Sequence, residues 1–323
     1  MADVTMVQAL NAGLRQAMQR DPRVVLFGED IGSLGGVFRV TAGLQEQFGE
    51  HRVIDAPLAE SAIVGAAVGM AMRGYRPVLE IQFDGFVYPA FDQIVSQVAK
   101  MHARSRGLIN LPITIRIPYG GGIGAVEHHS ESPEAYFAHT PGLRVLTPCD
   151  AAAAYSTIQQ AIACDDPVIY FEPKGRYWDR CLVDLDGPAL GDPWRARVLQ
   201  AGSDVTVACY GPTVRICREA AAMWDDVSVE IIDLQSLSPL DIPTVVDSVR
   251  RTGRLVIVHE AHRTLGIGAE LAAQVAQECF FDLEAPVLRV TAPDVPYPPS
   301  RLEHSYLPST SLINDAIERA MEY

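Results

Sequence analysis

Nine short runs of apolar, often β-branched residues recur along this chain, and helical patterns separate most of them. Five lie in the first half: VVLF (24–27), PVLEIQF (77–83), PITIRIP (112–118), RVLT (144–147) and PVIYFEP (167–173). Four follow: DVTVACYG (204–211), VSVEIIDL (227–234), RLVIVHE (254–260) and PVLRVTAP (286–293). Because the runs are nearly continuous rather than alternating, they predict strands buried on both faces. Their alternation with helices predicts parallel α/β sheets.

The helical patterns lie at 5–19, 59–73, 89–105, 150–163, 213–224, 241–251 and 268–279, and a last one falls within 309–323. The stretch 172–202 interrupts the alternation, because it is rich in Gly, Pro and Asp and has no long periodic run. A chain of 323 residues suggests two domains, at roughly 100–200 residues per domain. We therefore expect one domain over 1–190 and a second over 191–323.

Charge and composition exclude several classes of protein. A formal net charge of -14 argues against a nucleic-acid surface, since phosphate binding needs clustered Lys and Arg. No apolar run reaches the roughly 18–20 residues of a membrane span. The N-terminal stretch lacks the basic and apolar regions of a signal peptide. Six scattered cysteines without a CxxC pair indicate reduced thiols, so we expect a cytoplasmic protein.

The stretch IDAPLAESAIVGAAVGMAMRG, residues 54–74, contains a carboxylate at the start of an uncharged helical pattern. No charged residue lies between Glu60 and Arg73, and a helix that is apolar all round is expected to be buried. Glu60 could compensate the positive end of the helix dipole, or it could be a buried acid with a chemical task. The spacing alone favours the first interpretation.

Two further segments that follow predicted strands could carry chemistry. Residues 28–30, Gly-Glu-Asp, precede a glycine-containing loop, but neither GxGxxG nor GxxxxGK[ST] is present, so a nucleotide site is disfavoured and a turn with solvated acids is favoured. Residues 119–130 combine a glycine-rich loop with Glu-His-His-Ser. A general acid–base histidine is the most economical functional interpretation. A metal site lacks an evident third ligand, a hydrolase lacks a GxSxG elbow, and plain surface histidines fit the pattern equally well.

Taken in order, these pieces resemble a known family. Five segments of the first half resemble the beta subunit of the thiamine-diphosphate-dependent 2-oxoacid dehydrogenases. They are FGEDIGSLGGVFRVT, RVIDAPLAESAIVGAAVGMAMRGYRPVLEIQF, YPAFDQIVSQVAK, HHSESPEAYFAHTPGLRVLTP and PVIYFEPK. The second half resembles the transketolase-type C-terminal domain in DLQSLSPLD, VIVHEAHRTLGIGAE and VPYPPSRLEHSYLP. The resemblance implies a pyrimidine-binding thiamine-diphosphate fold with a parallel sheet, followed by a transketolase-type C-terminal α/β domain.

The resemblance also implies roles for single residues. Glu60 matches the glutamate that hydrogen-bonds the aminopyrimidine ring nitrogen and favours its imino tautomer. Phe86 matches an aromatic residue that packs on the pyrimidine, and Leu58 matches a position that lines the same pocket. His129 matches the active-site histidine, which would assist proton transfer or reductive acylation of the lipoyl group. Glu29 matches an acidic position near the cofactor, where a proton path between two active sites is a hypothesis.

Metals and partners follow from the same resemblance. Thiamine diphosphate would be shared with an alpha subunit, which holds Mg²⁺ and the diphosphate through a GDG…N motif that this chain lacks. Two alpha and two beta chains would form a heterotetramer that docks on a lipoyl acyltransferase core. A structural K⁺ site would use Ile113, Thr114, Ala161, Cys164 and Asp166, although relatives often carry Asn at the last position.

The SPEAYFAH segment resembles branched-chain 2-oxoacid enzymes more closely than pyruvate enzymes, so the resemblance implies branched-chain 2-oxoacids as the substrate, with pyruvate next and acetoin disfavoured. Two other classes of function remain as alternatives. One is a transketolase-like enzyme that acts alone, which the missing diphosphate motif disfavours. The other is a non-catalytic assembly module. The absence of GxGxxG disfavours a dinucleotide-dependent dehydrogenase.

Overall fold

Fourteen strands form three sheets in a computed structural model that describes residues 1–323. The first eight strands are β1 (Ala2–Thr5), β2 (Val24–Gly28), β3 (Val53–Asp55), β4 (Arg76–Glu80), β5 (Thr114–Tyr119), β6 (Arg144–Leu146), β7 (Val168–Pro173) and β8 (Arg180–Val183). The other six are β9 (Arg197–Gln200), β10 (Val205–Cys209), β11 (Val229–Asp233), β12 (Ser236–Ser238), β13 (Leu255–His262) and β14 (Leu288–Ala292).

Eleven α-helices connect these strands. They are α1 (Met6–Arg20), α2 (Leu44–Phe48), α3 (Glu60–Met72), α4 (Met101–Arg104), α5 (Glu134–Ala138), α6 (Ala151–Ala163), α7 (Thr213–Ala221), α8 (Ile242–Thr252), α9 (Ile267–Glu278), α10 (Glu303–Tyr306) and α11 (Thr310–Met321). Polar side chains fix the starts of several. Thr5 and Gln8 form a reciprocal capping box on α1, and Asp150 caps α6. These caps supply partners for amides that have none within the helix.

The seven-stranded sheet has the order β12-β6-β7-β5-β4-β2-β3. All its neighbours are parallel except β12 and β6. Every residue of β5 and of β7 is buried, which confirms that near-continuous apolar runs mark strands covered on both faces. Helices α1 and α6 pack closely on one another, because Gly13 leaves room for the Ile158 side chain, which lies 2.5 Å from where a Cβ would stand.

The five-stranded sheet has the order β14-β13-β10-β11-β9, and only β9 is antiparallel to its neighbour. The prediction of α/β architecture with parallel sheets is therefore confirmed. The boundary between residues 190 and 191 stays a prediction. Strand β12, which follows that boundary in sequence, adds to the edge of the first sheet by pairing with β6.

Two expectations about helices are wrong, and the first concerns residues 89–105. These residues do not form one α-helix. A 3₁₀ segment covers Asp84–Ala90, a π-helical segment covers Gln93–Val98, and α4 follows. Pro89 lies inside the 3₁₀ segment and lacks an N–H for a regular helix. The chain thus turns more tightly and then more widely than an α-helix between β4 and α4.

Helix α3 is not buried on every side within this chain. Ile63, Val64, Ala67 and Ala71 face the sheet and are buried, whereas a second set on the helix is exposed: Ser61, Ala62, Ala66, Gly69 and Met72. The helix packs by one face only, against β4 and the segment 84–98. Its outer face therefore presents small and apolar residues to the surroundings. No helix of the protein combines the length and apolar character that a bilayer crossing requires.

The buried His259 on β13 predicts that the free energy of unfolding falls as the pH is lowered. Burial lowers its pKa to about 4 from an ordinary 6.5, and its Nε2 has no hydrogen-bond partner. Because the folded pKa lies below the unfolded one, the neutral imidazole stabilises the fold fully above pH 6.5, and this contribution is lost as the pH falls toward 4. We expect the loss between pH 7.5 and pH 5 to be about 2 kcal/mol.

Urea unfolding at both pH values measures this contribution. We expect the His259→Gln chain, whose side chain does not titrate, to lose about 2 kcal/mol less over the same interval than the unsubstituted chain. Equal losses in the two chains would assign the acid sensitivity to other groups.

Candidate active site

Two buried carboxylates meet where β2 ends. Glu29 directly follows β2, Glu60 is the first residue of α3, and they are 7% and 8% exposed. Burial raises the pKa of Glu29, and the nearby negative charge of Glu60 raises it further. The carboxyl ends of parallel strands are where open α/β sheets build ligand sites. The structure therefore brings together two residues that the sequence treated separately, and Glu29 is not a solvated turn acid.

One oxygen of this pair lacks the hydrogen-bond partner that burial normally demands. The Oε1 atom of Glu29 is buried and has no partner, although a hydrogen bond from the Ala59 backbone N–H to the same carboxylate partly opposes the rise in its pKa. A buried oxygen without a donor is costly. The pair is thus suited to a ligand that supplies N–H groups or ring nitrogens, and its chemistry is to hold or exchange a proton.

Leu58 lies beside this pair but is 82% exposed. A large apolar side chain so exposed, two positions before a buried acid, marks the open side of the site. Nothing within the chain covers it. It can pack against a ligand or against another chain.

His129 is held between two phenylalanine rings. Its imidazole stacks on Phe83 with ring centroids 4.0 Å apart and meets the edge of Phe86 at 5.1 Å. The Nδ1 atom lies 2.8 Å from the carbonyl oxygen of His128. Since a carbonyl only accepts, Nδ1 carries a hydrogen, and Nε2 is the ring nitrogen left for a ligand. The His128 side chain is exposed and contacts Glu127 and the neighbouring rings.

The site residues form two groups within the chain. Glu29 and Glu60 make one, and Phe86 with His129 makes the other. Helix α3 packs on the 3₁₀ segment that carries Phe86, so the groups lie on neighbouring elements. No hydrogen bond or ring contact joins His129 to Glu60.

Two buried ion-pair clusters support this region, and the sequence analysis missed both. Arg116 bonds Glu172 through Nε at 2.6 Å and Glu80 through Nη1 at 2.6 Å. Lys174 pairs with Asp84 at 2.6 Å, and both side chains are fully buried. The available signal was a charged residue at or beside an apolar run, as in PITIRIP and PVIYFEP. Such a residue needs a buried partner of opposite charge.

The five residues expected to hold K⁺ lie near one another, at the start of β5, the end of α6 and the loop before β7. Two of their oxygen groups already face arginines. Arg76 donates to the Cys164 carbonyl at 3.0 Å, and Arg144 donates to Asp166 at 2.8 Å. Positive guanidinium groups on two of five ligands do not fit a further cation. The K⁺ site stays a prediction, and these contacts count against it.

Two family descriptions match the chain. "Transketolase, pyrimidine binding domain" matches residues 2–178 and contains every predicted site residue, and "Transketolase, C-terminal domain" matches residues 195–313. A solved structure titled "Split gene transketolase, inactive beta4 tetramer" superposes with a TM-score of 0.79, covers 99% of both chains and is 22% identical. That level of identity supports the fold alone.

Relatives of higher identity extend over nearly the whole chain. The pyruvate dehydrogenase E1 component subunit beta of Leifsonia xyli subsp. xyli is 53% identical over 98% of this chain and 95% of its own. The 3-methyl-2-oxobutanoate dehydrogenase subunit beta of Mycobacterium tuberculosis is 52% identical over 98% and 92%. The 2-oxoisovalerate dehydrogenase subunit beta of Pseudomonas aeruginosa is 44% identical over 99% and 95%. These matches confirm the resemblance carried by the motifs, and the chain belongs to the family of beta subunits of the 2-oxoacid dehydrogenase E1 components, with transketolase-type pyrimidine-binding and C-terminal domains.

Proposed function

We propose that this chain is the beta subunit of an enzyme that decarboxylates branched-chain 2-oxoacids oxidatively and acylates the lipoyl group of an acyltransferase. The observation that carries the proposal is the buried pair Glu29 and Glu60 at the end of β2 in a pyrimidine-binding domain, where the Glu29 Oε1 atom has no hydrogen-bond donor. A second proposal, with pyruvate as the main substrate, rests on the name of the Leifsonia relative.

The residues of the pair fit an aminopyrimidine ring. Thiamine diphosphate, when bound, supplies the electron sink for loss of CO₂. Glu60 would hold the proton shared with a ring nitrogen, since its buried carboxyl lies beside Glu29 at the start of α3. Phe86 would stack on the ring, Leu58 would cover its open edge, and the raised pKa of Glu29 suits it to relay a proton.

His129 would act on the substrate side of the same site. Its Nδ1 hydrogen is committed to the His128 carbonyl, so Nε2 is the atom that accepts or donates a proton. Rings on two sides restrict the imidazole to one orientation. A fixed base within reach of the reacting group contributes typically 10²–10⁴-fold to rate.

An alpha-type partner is part of the proposal. The chain has no GDG…N motif, so the diphosphate and Mg²⁺ would be held by that partner in an assembly of two alpha and two beta chains. The exposed outer face of α3, with Ala62, Ala66 and Gly69, allows another chain to approach closely. Its coverage in the assembly would restore the fully buried helix that the sequence predicts. Docking on a lipoyl acyltransferase core is proposed on family grounds.

The substrate is tested by co-expressing this chain with its alpha-chain gene and measuring CO₂ release. We expect kcat/KM for 3-methyl-2-oxobutanoate to exceed that for pyruvate by about tenfold, because each extra methylene in an apolar pocket contributes about 1–3 kcal/mol. Faster turnover of pyruvate would replace the first proposal by the second. Decarboxylation by this chain without a partner would overturn the subunit assignment itself.

A further inference from the structure

The Lys174–Asp84 pair is buried without an evident role in the fold. Lys174 is one of only two lysines in the chain. Its Nζ lies 2.6 Å from Asp84 Oδ1, and neither side chain is exposed to solvent. Taking two charges out of water costs about as much as their attraction returns. A pair of this kind therefore calls for a function other than stability.

The second oxygen of Asp84 reaches the histidine loop. Oδ2 accepts the backbone N–H of Glu131 at 2.9 Å, and Glu131 lies two positions after His129. The residue before Asp84 is Phe83, whose ring stacks on the His129 imidazole. Lys174 orients the carboxylate from the end of β7, since one Asp84 oxygen faces the ammonium and the other is left for the loop.

The same segment contacts the loop at a third point. A Cβ built on Gly85 would collide with the carbonyl oxygen of His128, the oxygen that fixes His129 Nδ1. Residues 83–85 thus hold the loop through a ring, a carboxylate and a close backbone contact. If the Asp84 carboxylate moved, these contacts would shift with it and the His129 imidazole would be misplaced.

We infer that the Lys174–Asp84 pair is a positioning element that sets the orientation of His129 through the Glu131 amide. The inference deepens the proposed function, on which the role of His129 rests. Neither Lys174 nor Asp84 contacts the imidazole, so both act through the loop. The pair connects the end of a sheet strand to the loop at the Glu131 N–H, next to the bond that the Glu131 carbonyl accepts from the Gly120 N–H.

Three variants of the complex with the alpha chain separate positioning from simple stability. Lys174→Met leaves a buried carboxylate unpaired. Lys174→Met with Asp84→Asn removes both charges but keeps an oxygen for the Glu131 N–H. Lys174→Met with Asp84→Ala removes both charges and the acceptor. Lys100→Met is the matched control, because Lys100 donates only to the exposed Pro141 carbonyl.

Two readouts apply to each complex: kcat, and the rate at which diethylpyrocarbonate modifies His129, with the exposed His102 as internal reference. We expect the Ala double variant to lose about 100-fold in kcat, as small misplacements do, and its His129 to react several-fold faster. The Asn double variant should recover to within about threefold of the unsubstituted complex in both readouts. Melting temperatures report stability separately.

Normal kcat and normal His129 reactivity in the Ala double variant would overturn the inference. So would an Asn double variant that is impaired as strongly as the Lys174→Met single variant. A His129→Ala complex with unchanged turnover would instead remove the proposed role of His129. The modification rates would still decide whether the pair positions the imidazole, so the two failures are distinguishable.

Discussion

Replacing Glu60 by glutamine in the assembled enzyme is expected to lower kcat by about 10²–10⁴-fold, the range for loss of a group that transfers a proton. Glutamine keeps the shape and one oxygen of the side chain but cannot exchange a proton at that position. Glu60 is 8% exposed, and in the proposed function Glu60 rather than Glu29 shares a proton with the ring nitrogen. Steady-state CO₂ release with a saturating 2-oxoacid measures the effect.

Glu46→Gln is the matched control for this prediction. Glu46 also lies in the first turn of a helix, α2, but it is exposed. A residue that only compensates the helix dipole contributes about 0.3–1 kcal/mol to stability and nothing to turnover. If Glu60→Gln behaves like Glu46→Gln, with unchanged kcat and a small loss of stability, Glu60 is a helix-start residue. The assembly-module interpretation would then gain support.

The strands of this fold were predictable because their sequence signal is strong. All nine apolar runs contain strands in the structure. Strands β5, β7, β10 and β11 are buried at every residue, whereas the edge strand β14 is buried at only two of five. Short strands such as β3 (Val53–Asp55) and β12 (Ser236–Ser238) were missed, because three residues carry no periodicity and their pairing partners lie far away in sequence. Local propensity does not encode such partners.

The candidate site was predictable only in part. Family motifs suggested Glu29, Leu58, Glu60, Phe86 and His129, whereas composition alone gave Glu29 as a solvated turn acid. Its burial depends on α3 starting directly beside the end of β2, which is a tertiary relation. The stacking of Phe83 on His129 likewise joins residues 46 positions apart, and no local pattern specifies it.

Replacing Arg116 by methionine is expected to cost about 3–5 kcal/mol of unfolding free energy, the usual cost of removing one partner from a buried ion pair. Arg116 is the only cation between two buried carboxylates, Glu80 and Glu172. A phenol hydroxyl from Tyr177 donates to Glu172 at 2.6 Å, which leaves Glu80 without any donor in the variant. Urea unfolding of the purified chain at pH 8 measures the loss. Arg144→Met, at a largely exposed pair, should cost less than about 1 kcal/mol.

The pH dependence of the Arg116→Met variant identifies the cause of this loss. Burial raises the pKa of Glu80, and the charge of Arg116 partly opposes that rise. Without the guanidinium the folded pKa of Glu80 rises further above the unfolded value, so the folded state binds more protons, and lowering the pH stabilises the variant. We expect the difference in unfolding free energy between Arg116→Met and the unsubstituted chain to shrink between pH 8 and pH 5, a comparison in which the His259 contribution common to both chains cancels. A variant with Glu80→Gln and Glu172→Gln added should recover at least half of the loss at pH 8, because no buried charge is left unpaired. A loss that is independent of pH and not recovered would show that Arg116 stabilises the sheet by packing rather than by charge.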